Sequence, residues 1–234
     1  MTIPRGYFVT GTDTGAGKTF VAAALVRALA RAGLKVAALK PIASGCRRGQ
    51  DGLVSSDARR LKAEVNVPQT FAEMTQYAFA PPVSPHLAAA RAGVHISWRP
   101  IQHALRVQAG RADRVIVEGV GGWLAPLSSG RSVADLAVAL HLPVILVVGL
   151  RLGALNHALL TVESIASRGL LLAGFVINLR DPRMAYRQGN IDTLKAAITA
   201  PCLGVIPSGS TIGQAAACLD LMPLLTPPAR KQPR

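Results

Sequence analysis

Residues 7–19, YFVTGTDTGAGKT, decide the fold class of this chain. An apolar run at residues 7–10 predicts a strand that leads into a loop of small residues. Gly-Lys-Thr then opens a predicted helix over residues 18–32. This order is typical of a phosphate-binding loop, because glycines let backbone N–H groups converge on an anion at the start of the helix. An ordinary glycine-rich turn is the alternative, but the position between the first strand and a strongly apolar helix favours a nucleotide site.

Individual residues of this loop have expected roles. Lys18 is placed to reach the terminal phosphates, and the Thr19 hydroxyl can serve as a magnesium ligand. The loop departs from the usual pattern because Gly11 lies six residues before Gly17, one more than usual, so that Thr12 takes the first loop position. The loop candidates for nucleotide binding are Gly15, Ala16, Gly17, Lys18 and Thr19.

Apolar runs and helical patterns alternate along the rest of the chain. Strands are predicted at residues 35–39, 114–117, 143–148, 172–177 and 202–206. Helices are predicted at residues 56–65, 85–92, 99–109, 132–140, 155–168 and 191–199. The first strand, helix and strand form a βαβ unit, whose crossover is expected to be right-handed.

This alternation predicts one α/β domain over residues 1–225. Its fold class is a single doubly wound, mostly parallel sheet with helices on both faces, of the P-loop NTPase type. After Asp220 the sequence becomes rich in proline and is expected to fray. Residues 226–234 are expected to form a disordered basic tail.

Composition excludes several classes of protein. Hydrophobic residues make up 50% of the chain and charged residues 16%, so a disordered protein is excluded. No apolar run reaches the ~18 residues of a membrane span, and no signal peptide is expected. Three separated cysteines fit reduced thiols in the cytoplasm. The net charge of +14 is spread along the chain without a long basic run, so we expect attraction to anionic substrates rather than specific nucleic-acid binding.

Candidate metal ligands are sought among the few carboxylates. Glu118 follows the strand predicted at 114–117, at the sheet edge where ligands bind in such folds, and the glycines Gly119 and Gly121 after it allow close approach of a phosphate. A carboxylate at a buried strand end needs a cation, which favours a metal over a structural ion pair. Asp57 lies at the start of the helix predicted at residues 56–65, where a Ser-Asp pair fits a helix cap as well as a metal site.

Lys40 follows the strand predicted at 35–39 and therefore lies at the same edge. A solvated lysine after an edge strand is the alternative interpretation. Beside a phosphate loop, two lysines at neighbouring strand ends indicate a strongly anionic centre between them, so we predict a role for Lys40 toward the substrate or transition state.

The motifs taken together resemble dethiobiotin synthetase. The resemblance rests on YFVTGTDT-x-x-GKT at residues 7–19, KPIASG at 40–45, SDA at 56–58 and SPH at 84–86. It continues with VEGVGGW at 117–123, LPVILVVG at 142–149 and LGALNH at 152–157. The resemblance implies that ATP, Mg²⁺, CO2 and 7,8-diaminononanoate react to give dethiobiotin, ADP and phosphate, through a carbamate and a carbamic–phosphoric mixed anhydride.

The resemblance also implies roles for single residues. Lys18, Lys40 and Thr12 would act at the reacting groups, and magnesium would be held by Thr19, Asp57 and Glu118. Further nucleotide contacts would come from Asn178, Pro207, Ser208 and Gly209, together with Glu118, Gly119 and Gly121. Substrate contacts would come from Thr12, Lys40 and Ser44, and from Leu152, Gly153, Ala154 and Asn156 of the partner subunit in a homodimer. Leu179 stands where the family often has aspartate, and Asn190 stands where a tyrosine is expected.

Two other functions are compatible with a phosphate loop. A related amidoligase such as a cobyrinate amide synthase usually carries a glutaminase domain, for which this chain has no room. A partition-type ATPase, which binds DNA or a membrane, usually carries a second lysine early in the loop, where this chain has Thr12.

Overall fold

A six-stranded parallel sheet forms the centre of the computed structural model, which describes residues 5–226. The strands in chain order are β1 (Gly6–Gly11), β2 (Val36–Leu39), β3 (Ile42–Ala43), β4 (Arg47–Gly49), β5 (Gly52–Val54), β6 (Tyr77–Ala78), β7 (Arg114–Glu118), β8 (Pro126–Ser128), β9 (Arg131–Ser132), β10 (Val144–Leu150), β11 (Leu172–Leu179) and β12 (Cys202–Ile206). The main sheet has the order β12-β11-β10-β1-β7-β2, and every pairing within it is parallel. The predicted fold class is confirmed.

Ten helices lie among the described residues. They are α1 (Lys18–Arg31), α2 (Ser56–Lys62), α3 (Phe71–Met74), α4 (Pro85–Arg91), α5 (Trp98–Arg111), α6 (Val133–Leu140), α7 (Ala154–Ser167), α8 (Arg187–Ala197), α9 (Ile212–Ala217) and α10 (Met222–Leu225). None of the helices within residues 5–226 is long and apolar enough to cross a membrane.

Side chains of the central strand β1 alternate between two apolar layers. Tyr7 and Val9 pack with α1 and α9 on one face, whereas Phe8 packs with α5 and α6 on the other. This alternation follows from the two-residue period of an extended chain. A third cluster joins β10 and β11 to α7 and α8. Helices therefore cover both faces of the sheet, as a parallel sheet requires.

Helix α1 is buried more completely than the sequence predicts. The periodicity suggests one apolar face that includes Ala32, but residues 21–26 are all buried and Ala32 is exposed. The reason is that α1 packs on the sheet and also against α2 and α9. Small alanine side chains permit this close packing on several sides.

The expectation that the chain frays after Asp220 is wrong for the described residues. Helix α10 places Leu224 against the core with 1% of its surface exposed, and the Tyr7 hydroxyl donates a hydrogen bond of 2.6 Å to the Leu224 carbonyl oxygen. The tail predicted at residues 226–234 lies outside the described residues, apart from Thr226. Helix α8 begins at Arg187, four residues before the predicted start at 191.

Candidate active site

Three neighbouring strands bring the candidate residues to one edge of the sheet. Strand β1 is paired with β7, and β7 is paired with β2, all running in the same direction. Val9 is in register with Glu118, and Leu39, the residue before Lys40, is in register with Val117. The phosphate loop, Glu118 and Lys40 therefore meet at the carboxyl ends of the strands, where open α/β sheets bind their ligands.

The phosphate loop depends on glycine at its junction with α1. Gly17 caps this helix with a φ of 96°, a left-handed conformation that favours glycine. A Cβ atom added there would lie 2.1 Å from Nδ2 of Asn178. The Asn178 side chain donates a 2.9 Å hydrogen bond to the Ala16 carbonyl oxygen and is 3% exposed. The Asn178 side chain, which the resemblance assigns to nucleotide contact, thus holds the phosphate loop through the Ala16 carbonyl.

Lys40 is the centre of a buried cluster of charges. Its Nζ lies 2.7 Å from Oε1 of Glu118 and 3.0 Å from Oδ2 of Asp57, and it donates a 2.9 Å hydrogen bond to the Gly119 carbonyl oxygen. The Thr19 hydroxyl donates to the same Glu118 oxygen at 2.7 Å. The side chains of Lys40 and Glu118 are 3% and 0% exposed. Lys40, Thr19, Asp57 and Glu118, predicted separately from the sequence, form one constellation.

Burial and mutual attraction shift the pKa values of this cluster. Burial alone would lower the pKa of Lys40, but the Glu118 and Asp57 carboxylates outweigh it and raise that pKa. Burial raises the pKa of Glu118 against the opposing effect of Lys40, and Lys40 holds the pKa of Asp57 below its usual value despite burial. Lys18 differs, because burial, helped by the nearby Lys40 charge, lowers its pKa to about 8. Its Nζ donates a 3.0 Å hydrogen bond to the Asp13 carbonyl oxygen.

The oxygen atoms of this cluster fit a hard cation. Two carboxylates and one hydroxyl are the ligands that Mg²⁺ prefers, and magnesium in nucleotide sites takes its remaining ligands from phosphates and water. Oε2 of Glu118 is buried without a hydrogen-bond partner among the described residues, which leaves it free to bind a cation. Residues 5–226 contain no cluster of three or more His, Cys, Asp or Glu side chains that could hold a metal by themselves.

A cavity of about 400 Å³ lies over the phosphate loop and the charge cluster. It is lined by Thr14, Gly15, Gly17, Lys18, Thr19, Phe20, Lys40, Asp57, Arg60, Glu118, Val120, Gly121 and Arg180. No sequence motif predicts a role for Arg60 or Arg180. Both belong to the basic residues behind the net charge of +14, which does not distinguish these two from the others.

A second cavity of about 510 Å³ adjoins the other side of the loop and contains Thr12. Its remaining lining residues are Asp13, Thr14, Gly122, Trp123, Leu124, Ala125, His157, Leu160, Thr161 and Ser164. Trp123 is buried and donates a 3.1 Å hydrogen bond from Nε1 to Oγ of Ser164. This hydrogen bond fixes the position of its ring in the wall of the cavity. The Ser44 hydroxyl is buried without a partner among the described residues.

The remaining substrate and nucleotide candidates lie outside both cavities. Leu152 is 91% exposed and Gly153 caps α7, so the loop before α7 faces outward from its own subunit. Asn156 is exposed on the first turn of that helix. Pro207, Ser208 and Gly209 follow β12 at the surface. Within one subunit, the structure does not bring these residues to the charge cluster.

Solved structures of similar fold include one with a bound nucleotide analogue. The cobyrinic acid a,c-diamide synthase of Mycobacterium smegmatis, solved with a bound ATP analogue and magnesium, aligns with a TM-score of 0.53 over 92% of this chain and 91% of that chain, at 21% identity. The MinD cell division protein of Aquifex aeolicus aligns with a TM-score of 0.54 over 93% of this chain and 88% of that chain, at 14% identity. Fold and site together define an α/β protein of the P-loop NTPase class.

Sequence comparison narrows the class to one family. Residues 5–216 match a family described as an AAA domain. The chain is 48% identical over 221 residues to the ATP-dependent dethiobiotin synthetase BioD of Pseudomonas aeruginosa strain UCBPP-PA14, which covers 93% of this chain and 97% of that protein. It is 50% identical over 220 residues to the protein of the same name from Ralstonia nicotianae, covering 93% and 96%. The chain belongs to the dethiobiotin synthetase family.

Proposed function

We propose that this protein is a ligase that converts 7,8-diaminononanoate, CO2 and ATP into dethiobiotin, ADP and phosphate in biotin biosynthesis. The observation that carries the proposal is the identity of 48% over 93% of the chain to an ATP-dependent dethiobiotin synthetase. The matched region includes the cluster of Lys18, Lys40 and Glu118. The geometry of this cluster suits a reaction between two anions.

The proposed reaction has three steps. One amine of the substrate adds to CO2 and loses a proton, which gives a carbamate. A carbamate oxygen then attacks the γ-phosphorus of ATP, and ADP leaves, which gives the carbamic–phosphoric anhydride. The second amine attacks the carbonyl carbon, phosphate leaves with the bridging oxygen, and loss of a proton completes the ureido ring. No covalent bond to the enzyme is needed.

Fixed positive charge is the main requirement of the middle step, since the carbamate and the γ-phosphate repel each other. We assign Lys18 to the terminal phosphates and Lys40 to the carbamate, because both line the same cavity. Lys40 is held by hydrogen bonds rather than solvated, so little reorganisation is needed when charge develops on the reacting groups. Positioning the reactants contributes the rest of the acceleration.

Thr19, Asp57 and Glu118 would hold Mg²⁺, which neutralises charge on the β- and γ-phosphates when it is bound. The loop residues Gly15, Ala16 and Gly17 would bind the triphosphate through their backbone N–H groups. Gly119 and Gly121 would border the nucleotide. Asn178 would contribute by fixing the Ala16 carbonyl, and Pro207, Ser208 and Gly209 would line the base.

We assign the diamine to the cavity that contains Thr12. Thr12 lines this cavity and is a polar group suited to the diamine and its carbamate. The Ser44 hydroxyl, which the resemblance also assigns to the substrate, is buried without a partner among the described residues and lines neither cavity. The apolar side chains of Leu124 and Leu160 on the same cavity suit the aliphatic part of the substrate.

We further propose a homodimer in which each active site is completed by the partner. Leu152, Gly153 and Asn156 are exposed, as residues that serve a neighbouring subunit would be, whereas the Ala154 side chain is buried and only its backbone would take part. The N–H groups at the start of α7 would bind the distant carboxylate of the substrate. The cytoplasmic location predicted from the sequence stays a prediction. Specific nucleic-acid binding is not part of the proposed function.

Product analysis tests the proposal. The purified protein is incubated with ATP, magnesium, bicarbonate and diaminononanoate, and the mixture is examined by mass spectrometry for dethiobiotin and by a coupled assay for ADP. We expect one ADP for each dethiobiotin formed. ADP release that does not depend on the diamine, or that is stimulated by DNA instead, would contradict the proposal.

A further inference from the structure

Arg60 lines the 400 Å³ cavity over the phosphate loop, the nucleotide cavity, and the proposed function gives it no role. It lies on α2 three residues after Asp57, a spacing that places both side chains on the same face of a helix. Asp57 is fixed on that face by its 3.0 Å contact with the Lys40 ammonium, and the Ser55 hydroxyl fixes the start of α2 by accepting a 3.0 Å hydrogen bond from the Ala58 N–H. Arg60 is therefore carried on an anchored helix.

The charges that line the cavity indicate what Arg60 contributes to it. Lys40 contacts the carboxylates of both Asp57 and Glu118. Lys18 is the other lysine that lines this cavity. Two lysines facing two carboxylates give no excess positive charge. Among the side chains that line this cavity, the excess comes from the guanidinium groups of Arg60 and Arg180, which would add to the charge of the proposed Mg²⁺ beside a triphosphate and a carbamate.

The guanidinium of Arg60 is available for a ligand. Within residues 5–226 it makes no hydrogen bond or ion pair, although six other ion pairs are formed in that range. A guanidinium matches two oxygens of a phosphoryl group at once, which a lysine ammonium does not do. Because Arg60 shares a helix face with the proposed metal ligand Asp57, it belongs to the γ-phosphate end of the cavity.

We propose that Arg60 binds the γ-phosphoryl group of ATP and stabilises it during transfer to the carbamate. This assignment rests on the proposed function for the identity of the acceptor only. Binding of the γ-phosphate itself is independent of the acceptor. Arg60 would then be a catalytic residue, since it touches the group that is transferred.

The neighbouring Arg59 provides a matched control. Its guanidinium lies near β4, where Nη2 is 3.5 Å from the position that a Cβ atom on Gly49 would take. Arg59 does not line the cavity. Both residues are exposed, so replacing either removes the same charge from the same helix without opening the core.

Nucleotide binding and turnover are compared for the wild type, Arg60→Ala, Arg60→Lys and Arg59→Ala. We expect Arg60→Ala to weaken binding of a non-hydrolysable ATP analogue about 10-fold and to lower kcat about 10-fold to 10²-fold, with ADP binding unchanged. Arg60→Lys should recover only part of the loss, and Arg59→Ala should behave as the wild type. Melting temperatures check that the variants are folded.

Two results would overturn the assignment. If Arg60→Ala binds the ATP analogue as tightly as the wild type, Arg60 does not contact the γ-phosphate, whatever the acceptor is. If Arg59→Ala and Arg60→Ala weaken binding equally, the effect is one of general charge. Failure of the proposed function has a different signature, since the variants would then differ in analogue binding while no dethiobiotin forms.

Discussion

At the level of single residues, the proposed reaction needs the positive charge of a lysine that is almost completely buried. Lys40 contacts two carboxylates and a carbonyl oxygen, and this arrangement keeps it charged although only 3% of its side chain is exposed. The Glu118 carboxylate, with 0% of its side chain exposed, depends on Lys40 in turn, because an isolated charge is costly in the interior, whereas the Asp57 side chain is 38% exposed. The cluster is thus both a structural element and a site of fixed charge.

Replacing Lys40 by alanine should lower turnover at least ~10²-fold, since a fixed donor to the transition state is lost. Lys18→Ala should cost a similar factor. Lys35→Ala is the control, because Lys35 is exposed before β2 and lies outside the nucleotide cavity. Steady-state kinetics of dethiobiotin formation gives the comparison. Near-normal turnover of the Lys40 variant would refute its role.

Gly17→Ala tests the contact between the phosphate loop and β11. The new Cβ would meet Nδ2 of Asn178 at 2.1 Å, and a φ of 96° disfavours alanine in addition. We expect ATP-analogue binding to fall at least ~10-fold, a change of about 1.4 kcal/mol. Gly33→Ala has the same backbone penalty, with a φ of 86° and nothing within 4 Å, and should keep normal affinity. Equal affinities in calorimetric titrations would show that this contact does not shape the loop.

At the scale of elements, sequence patterns predicted the sheet better than its surroundings. Strands such as β7 and β10 are continuous apolar runs because they are buried on both faces, so their positions are visible in the sequence. The two- and three-residue strands β3 and β4 are too short to show a period. Lys40 and Glu118 were found because each follows such a run.

Other features depend on contacts between distant parts of the chain. Arg60 lies on a predicted helix, but only the packing of that helix beside the phosphate loop shows that Arg60 lines the cavity. Helix α10 was missed because Tyr7 holds it across 217 residues of sequence. No local pattern encodes either arrangement.

Tyr7→Phe should lower the free energy of unfolding by about 1 kcal/mol, because the variant loses the buried hydrogen bond to the Leu224 carbonyl oxygen. Urea denaturation measures this change. Tyr77→Phe provides a comparison, since the Tyr77 hydroxyl donates to Ser97 in a less buried place. An unchanged stability of Tyr7→Phe would mean that α10 adds nothing to the core.

At the scale of the whole molecule, each proposed active site is incomplete in one subunit. Leu124 and Leu160 line the cavity assigned to the diamine and are 58% and 57% exposed, and Leu152, before α7, is 91% exposed. Burial of these side chains against a second copy would give a dimer its apolar contact. This geometry supports the proposed homodimer.

Leu160→Glu should convert the dimer to monomer at micromolar concentration, because a carboxylate would be buried in the apolar contact. Sedimentation velocity follows the change. Leu171→Glu is a suitable control, since Leu171 is 51% exposed but precedes β11 at the opposite edge of the sheet. A wild-type protein that sediments as a monomer, or a Leu160 variant that stays dimeric, would contradict this interface.

The proposed function requires that the γ-phosphoryl group is transferred to a carbamate oxygen at the charge cluster on the carboxyl edge of the sheet. Oxygen labelling tests this transfer. The reaction is started with ¹⁸O-labelled CO2 in unlabelled water, and the released phosphate is analysed by mass spectrometry. We predict one ¹⁸O atom in each phosphate formed together with dethiobiotin. Unlabelled phosphate formed together with dethiobiotin, in samples taken before CO2 has exchanged its oxygen with water, would contradict transfer to a carbamate oxygen.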